Sequence, residues 1–175
     1  ARRDWTSLSR ISPNMVRAVI SAEDGKYCEH SGFDTDAIED AVKRNASSKR
    51  LRGGSTISQQ TAKNVFLCQG SGWTRYVRKV PEIWFTFLIE HIWGKRRIME
   101  VYLNVAETGI GTYGVQSGAE RYYRKSASSL SVMEAARIAA VLPLPKRREV
   151  LGASGFTRRY GYIIAARMGV VKRDG

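Results

Sequence analysis

Helix-start signals dominate this chain, and no run alternates apolar and polar residues well enough to make a convincing strand. Ser12-Pro13 sets an N-cap residue before a proline, which suits a first turn because the N–H that proline lacks would have no partner there. Val16, Val19 and Ile20 then recur at helical spacing, so a helix is expected from Ser12 to about Asp24. Asp36 with Glu39, and Ser131 with Glu134, have capping-box spacing and predict helices over Asp36–Arg44 and Ser131–Leu142, the second stopped by Pro143 and Pro145. Further helices are expected over Ser55–Phe66, Trp73–Trp93 (with Pro81 as a kink or restart), Lys95–Asn104 and Thr157–Met168. Ala46–Arg52 reads as a mobile loop and Thr108–Gly114, with its three glycines, as a shaped loop. The expected fold class is mainly α.

At 175 residues and 43% hydrophobic, the chain suits a single domain over 1–175 with a real core. Its charge is more selective. Twenty-nine Lys and Arg against 16 Asp and Glu give +13, a field that draws polyanions, anionic headgroups or phosphorylated substrates. Two cysteines, Cys28 and Cys68, and two histidines leave no metal-type spacing; packing or free thiols are expected ahead of a disulfide. No stretch approaches the ~20 apolar residues of a membrane-spanning helix. Ala1-Arg2-Arg3 reads as the start of a trimmed segment, so an N-terminal anchor is expected outside this sequence.

Four clusters carry chemistry. In the first, Glu23-Asp24 lies where an apolar helix enters a loop, followed by Tyr27, His30 and Gly32. A carboxylate there can face a cleft while its helix is anchored, which suits a general base; a solvated helix end is the plain alternative. In the second, Gly53-Gly54 lets backbone approach a ligand, and the helix that follows points N–H groups at it. Ser55, Thr56, Gln59 and Gln60 supply neutral hydrogen bonds, and Lys63 adds a cation on the face of Gln60. Arg78-Lys79 stands one helical turn from Glu82: a phosphate clamp beside a second acid, or a surface ion-pair cluster. The fourth, Lys95 to Asn104, reads mainly as a packing stripe of Ile98, Val101 and Tyr102, with Asn104 holding the next loop.

Taken in order, these clusters resemble the peptidoglycan glycosyltransferase family, the biosynthetic transglycosylases. The likeness runs through Glu23-Asp24-x-x-Tyr27-x-x-His30-x-Gly32, Gly53-Gly54-Ser55-Thr56-Ile57-x-Gln59-Gln60-x-x-Lys63-Asn64, Arg78-Lys79-x-x-Glu82 and Lys95-x-x-Ile98-x-Glu100-x-Tyr102-Leu103-Asn104, and reaches Leu142-Pro143. It covers about Ile11 to Pro145. Two departures stand out: Tyr27 replaces a phenylalanine, and Thr74 occupies a position where the family often has arginine, with Arg75 next to it.

The resemblance implies a lysozyme-like helical head with a small membrane-touching jaw at about 65–76. It implies an enzyme polymerising lipid II into β-1,4-linked glycan, with inversion and release of undecaprenyl pyrophosphate. Glu23 and Glu82 are then the catalytic candidates. Asp24, His30, Ser55, Thr56, Gln59, Gln60, Lys63, Arg75, Arg78, Lys79 and Asn104 are the substrate-binding ones. No obligatory cofactor is implied, only a divalent cation (Mg or Mn) assisting pyrophosphate departure. The implied partners are lipid II, the growing lipid-linked glycan, the membrane surface and cell-wall synthesis or division proteins, with no nucleic acid. The implied place is the bacterial inner membrane, on its periplasmic or extracytoplasmic side. Two rivals stay open at this point. A lysozyme-like glycan hydrolase or lytic transglycosylase would explain Glu23 but not the cation clamp. A basic nucleic-acid-binding module would explain the charge but not the motifs.

Overall fold

The computed structural model describes residues 5–36, 39, 55–67, 77–143, 150–151 and 155–170. It is mainly α, as expected. A short 3-10 turn, Leu8–Arg10, leads into helix α1, Pro13–Glu23. Then follow α2 (Ile57–Phe66), α3 (Lys79–Ile92), α4 (Gly94–Val105), a two-stranded hairpin of β1 (Glu107–Gly109) and β2 (Thr112–Tyr113), α5 (Val115–Tyr123), a second 3-10 turn (Ala127–Ser129), α6 (Val132–Val141) and α7 (Gly155–Met168).

The helix ends follow their caps. Ser12 caps α1 by accepting from the Asn14 N–H, with Pro13 at the first position. The same Ser12 hydroxyl donates to the Leu130 carbonyl at 3.0 Å, which ties the start of α1 to the approach of α6. The Ser131–Glu134 capping box forms as the spacing predicts. Pro81 does not kink α3. It falls in the first turn, where backbone N–H groups have no intrahelical partner to lose. Thr35 and Asp36 carry helical backbone, while most of the helix expected over Asp36–Arg44 lies outside the described residues. So do the loop over Ala46–Arg52, Arg75, Cys68 and residues 68–76 of the expected jaw.

Two elements were not expected. The glycine-rich stretch 108–114 pairs as an antiparallel hairpin, with Glu107 opposite Tyr113 and Gly109 opposite Thr112. At its exit Gly114 has φ +82° and a Cβ there would lie 2.9 Å from the Asn104 carbonyl oxygen, so only glycine fits. The second element is α5, whose start is set by that same glycine rather than by a side-chain cap.

The centre of the core is α6. Ala135, Ala136, Ile138, Ala139, Ala140 and Val141 are all buried, and α1 and α7 pack on it. Short side chains let the neighbouring helices approach closely; at Gly161 on α7 an added Cβ would meet Arg137 of α6 at 3.3 Å. A second layer joins α2 to α3 and α4. The end of α1 meets the start of α2 between these layers.

Candidate active site

The site is organised by a junction of buried polar groups. Asp24, only 6% exposed, follows the last residue of α1. One of its oxygens accepts the Ile57 N–H at 3.0 Å, the first N–H of α2. A carboxylate at a helix N-terminus is worth about 1 kcal/mol from the helix dipole alone. The Asp24 carboxylate also accepts from His30 Nε2 at 2.8 Å. Because His30 Nδ1 accepts the Gly32 N–H at 3.2 Å, the ring proton sits on Nε2 and is donated to Asp24. Gly32 has φ +92°, and a Cβ there would lie 3.0 Å from both Glu90 Cγ and Thr86 Cγ2. Its carbonyl accepts the Thr56 hydroxyl at 2.6 Å.

Thr56, rather than the exposed Ser55 before it, caps α2. It forms a capping box with Gln59: Thr56 N–H to Gln59 Oε1 at 2.9 Å, and Gln59 N–H to Thr56 Oγ1 at 3.2 Å. One residue into the helix, the Ser58 hydroxyl donates to Glu90. Glu90 also takes the Lys95 ammonium at 2.7 Å. That ammonium lies 4.6 Å above the centre of the Tyr27 ring. The Tyr27 hydroxyl donates to the Lys95 carbonyl at 2.7 Å, and burial pushes it far above its ordinary pKa.

Within this frame sits the proposed base. Gln60 Nε2 donates to Glu23 Oε2 at 3.0 Å, and the Tyr102 hydroxyl donates to Gln60 Oε1 at 3.4 Å. Burial, followed by the negative charge of Glu23, holds the Tyr102 hydroxyl well above its ordinary pKa, so it stays a donor. Gln60 and Tyr102 belong to the wall of a cleft of about 600 Å³, with Lys63 and Arg78 as its cations and Glu107 as an acid. A second cavity of about 560 Å³ holds Glu23 itself, the loop after it and Arg167 from α7.

The residues singled out from the sequence therefore divide. Glu23, Gln60, Lys63 and Arg78 belong to the bonded chain and the cleft that it reaches. Asp24, His30, Thr56 and Gln59 build the frame behind it. Lys79 and the buried Glu82 pair with each other at 2.7 Å in the first turn of α3. Asn104 points elsewhere: its amide clasps the backbone of Thr6 through two 2.8 Å bonds and the Glu100 carbonyl at 2.7 Å. Sequence reasoning assigned Tyr102 to packing and missed Glu90. A signal for Glu90 existed, since Glu82, Thr86 and Glu90 recur at a spacing of four along a helix whose other faces are apolar.

Residues 1–168 match the family model described as Transglycosylase. The chain belongs to the transglycosylase family. It is 48% identical over 171 residues to a "Biosynthetic peptidoglycan transglycosylase" of Caulobacter vibrioides, covering 98% of this chain and 73% of that one. A protein of the same description from Rhodospirillum centenum is 47% identical over 173 residues, with 99% and 74% covered. One from Bdellovibrio bacteriovorus is 53% identical over 145 residues, with 83% and 57% covered. The family, together with the biosynthetic description of these relatives, supports a peptidoglycan glycosyltransferase over the glycan hydrolase or lytic transglycosylase and over the basic nucleic-acid-binding module. Among the described residues no helix is long and apolar enough to cross a membrane, and no group of three or more His, Cys, Asp or Glu side chains is placed to hold a metal ion.

Proposed function

We propose that Glu23 is the general base with which this peptidoglycan glycosyltransferase joins lipid-linked disaccharides. The acceptor is lipid II and the donor is the growing strand on undecaprenyl pyrophosphate. As the acceptor 4-hydroxyl attacks the anomeric carbon, its proton passes to Glu23. The bond from that carbon to the pyrophosphate breaks, and the lipid pyrophosphate leaves with the electron pair. Attack opposite an α-linked leaving group gives a β-1,4 bond with one inversion, and no covalent enzyme intermediate is needed. The observation that carries this reading is the 3.0 Å bond from Gln60 to Glu23. A neutral amide orients a carboxylate with less loss of basicity than an ammonium would cause. The same Gln60 lines the cleft in which Lys63 and Arg78 can take up the charge developing on pyrophosphate. Lys79 adds to that charge, held in place by Glu82. A divalent cation (Mg or Mn) is assigned an auxiliary part, stabilising the same leaving group.

The lipid tails call for a membrane surface, and α3 offers one. Val80, Ile83, Trp84, Phe87 and Ile92 are all exposed on it, while its buried positions are Glu82, Thr86 and Ile89. Exposed aromatics on a basic chain suit the interface of an anionic bilayer. We place the domain there, on the periplasmic side of the inner membrane.

The test is polymerisation of fluorescent lipid II in detergent. Wild type should give high-molecular-weight glycan, Glu23→Gln a rate lower by ~10²–10⁴-fold and Lys63→Ala one lower by roughly a hundredfold. Chelation of divalent ions should cost less than the loss of Lys63. A Glu23→Gln enzyme that polymerises at the wild-type rate would remove the base from this scheme.

A further inference from the structure

The recognisable motifs end near Pro143, yet the last helix reaches back to the catalytic end of the first. The hydroxyl of Tyr160, in the second turn of α7, donates to the carbonyl of Ala22 at 3.2 Å. Ala22 immediately precedes Glu23 in the final turn of α1. Carbonyls in a last helical turn have no intrahelical partner and need one from elsewhere. The Ile20 carbonyl finds the Asp24 N–H at 3.0 Å; that of Ala22 finds Tyr160, 138 residues away in sequence.

Other contacts place α7 firmly enough for such a role. It packs against both α1 and α6. Its buried Gly161, next to Tyr160, lies close against Arg137 of α6. Farther along, Arg167 stands in the wall of the cavity that holds Glu23. The end of α1 is thus held from two sides, by the Asp24 junction with α2 and by Tyr160 of α7.

We propose that Tyr160 is a positioning residue for Glu23: its hydroxyl fixes the peptide before the base and so sets where the carboxylate stands when it takes the acceptor's proton. This rests on the reading of Glu23 as general base. Loss of the hydroxyl leaves the Ala22 carbonyl to water, loosens the last turn and admits solvent towards the carboxylate. Solvation favours the charged form of a carboxyl group, so the base should titrate at lower pH. The chemical step slows while the surfaces that bind substrate stay intact.

The experiment compares wild type, Tyr160→Phe, Phe156→Leu and Glu23→Gln in the lipid II assay, with kcat and KM measured across pH. Phe156 touches the Tyr160 ring (centroids 5.6 Å apart) but supplies no hydroxyl. For Tyr160→Phe we expect kcat to fall roughly fivefold, as for one lost hydrogen bond. KM should stay unchanged, and the acid limb of the kcat profile should move to lower pH. Phe156→Leu should leave kcat and that limb in place. The inference is overturned if Tyr160→Phe keeps the wild-type kcat, if its loss falls in KM, if the acid limb stays where it was, or if Phe156→Leu reproduces the whole effect. Failure of Tyr160→Phe to fold, seen by circular dichroism, would also overturn it in favour of a purely structural hydroxyl. Full activity in Glu23→Gln would instead sink the underlying assignment of the base, whatever Tyr160→Phe shows.

Discussion

Helices α3 and α6 are both rich in apolar residues, yet they are built inside out relative to each other. In α6 the inward positions are alanine, isoleucine and valine, and six of its ten residues are buried. In α3 the buried positions include Glu82 and Thr86, while Trp84 is 61% and Val80 73% exposed. The Thr86 hydroxyl donates back to the Glu82 carbonyl at 2.7 Å, and Glu90 on the same side takes Ser58 and Lys95. An apolar helix with a polar inner side has been shaped by two demands at once. Under the proposed function, its carboxylates serve the site on the inner side and its exposed apolar residues face the proposed membrane surface.

The sharpest way to break this contrast is to cut the same kind of side chain from each helix. Ile138→Ala in α6 should cost about 3 kcal/mol by transfer and cavity terms together, read from the denaturation midpoint. Trp84→Ala in α3 should stay within about 0.5 kcal/mol despite the larger deletion. Equal losses would mean that the two helices carry the core alike. A smaller effect, roughly tenfold, is expected when Trp84→Glu and Phe87→Glu are combined and partition into anionic vesicles is measured by co-sedimentation. Unchanged partition would take the bilayer away from α3. The smallest effect concerns pH and the α6 side. Burial pushes the Tyr123 hydroxyl up to about 12, against the pull of the Arg137 charge. Below pH ~10 both folded and unfolded chains keep that proton. Between about 10 and 12 only the unfolded chain loses it, so folding stability should decline over that interval. Tyr123→Phe should flatten the decline.

How much of this could be read from the sequence depended on how local the information was. Ser12-Pro13 and the Ser131–Glu134 box act within one helical turn, and both helices start as predicted. At α2 the Ser55-Thr56 pair offered two caps, and Gln59 three residues on selected Thr56. The hairpin at 107–113 escaped because two- and three-residue strands leave no periodicity to detect. At the site, motif order singled out Glu23, Gln60, Lys63 and Arg78 but could not separate groups that face a cleft from groups that build its wall. Asp24 and His30 sit in the same motif as Glu23, yet their hydrogen bonds run to α2 and to each other. That division is made by contacts across 33 residues of chain, which no local pattern encodes. Tyr160 lies farther still, outside every motif, in a helix that the sequence predicted without assigning it a role.

The Asp24 junction has one more consequence, for the stretch of chain that it encloses. Asp24 holds the Ile57 N–H and Gly32 holds the Thr56 hydroxyl, so the sequence between Gly32 and Thr56 begins and ends at a single clasp. The entropy of closing a flexible segment between two fixed ends grows only with the logarithm of its length, about 0.6 kcal/mol for each doubling. A longer segment at this place should therefore cost little, while the clasp keeps the spacing between Glu23, the proposed base on α1, and Lys63 on α2.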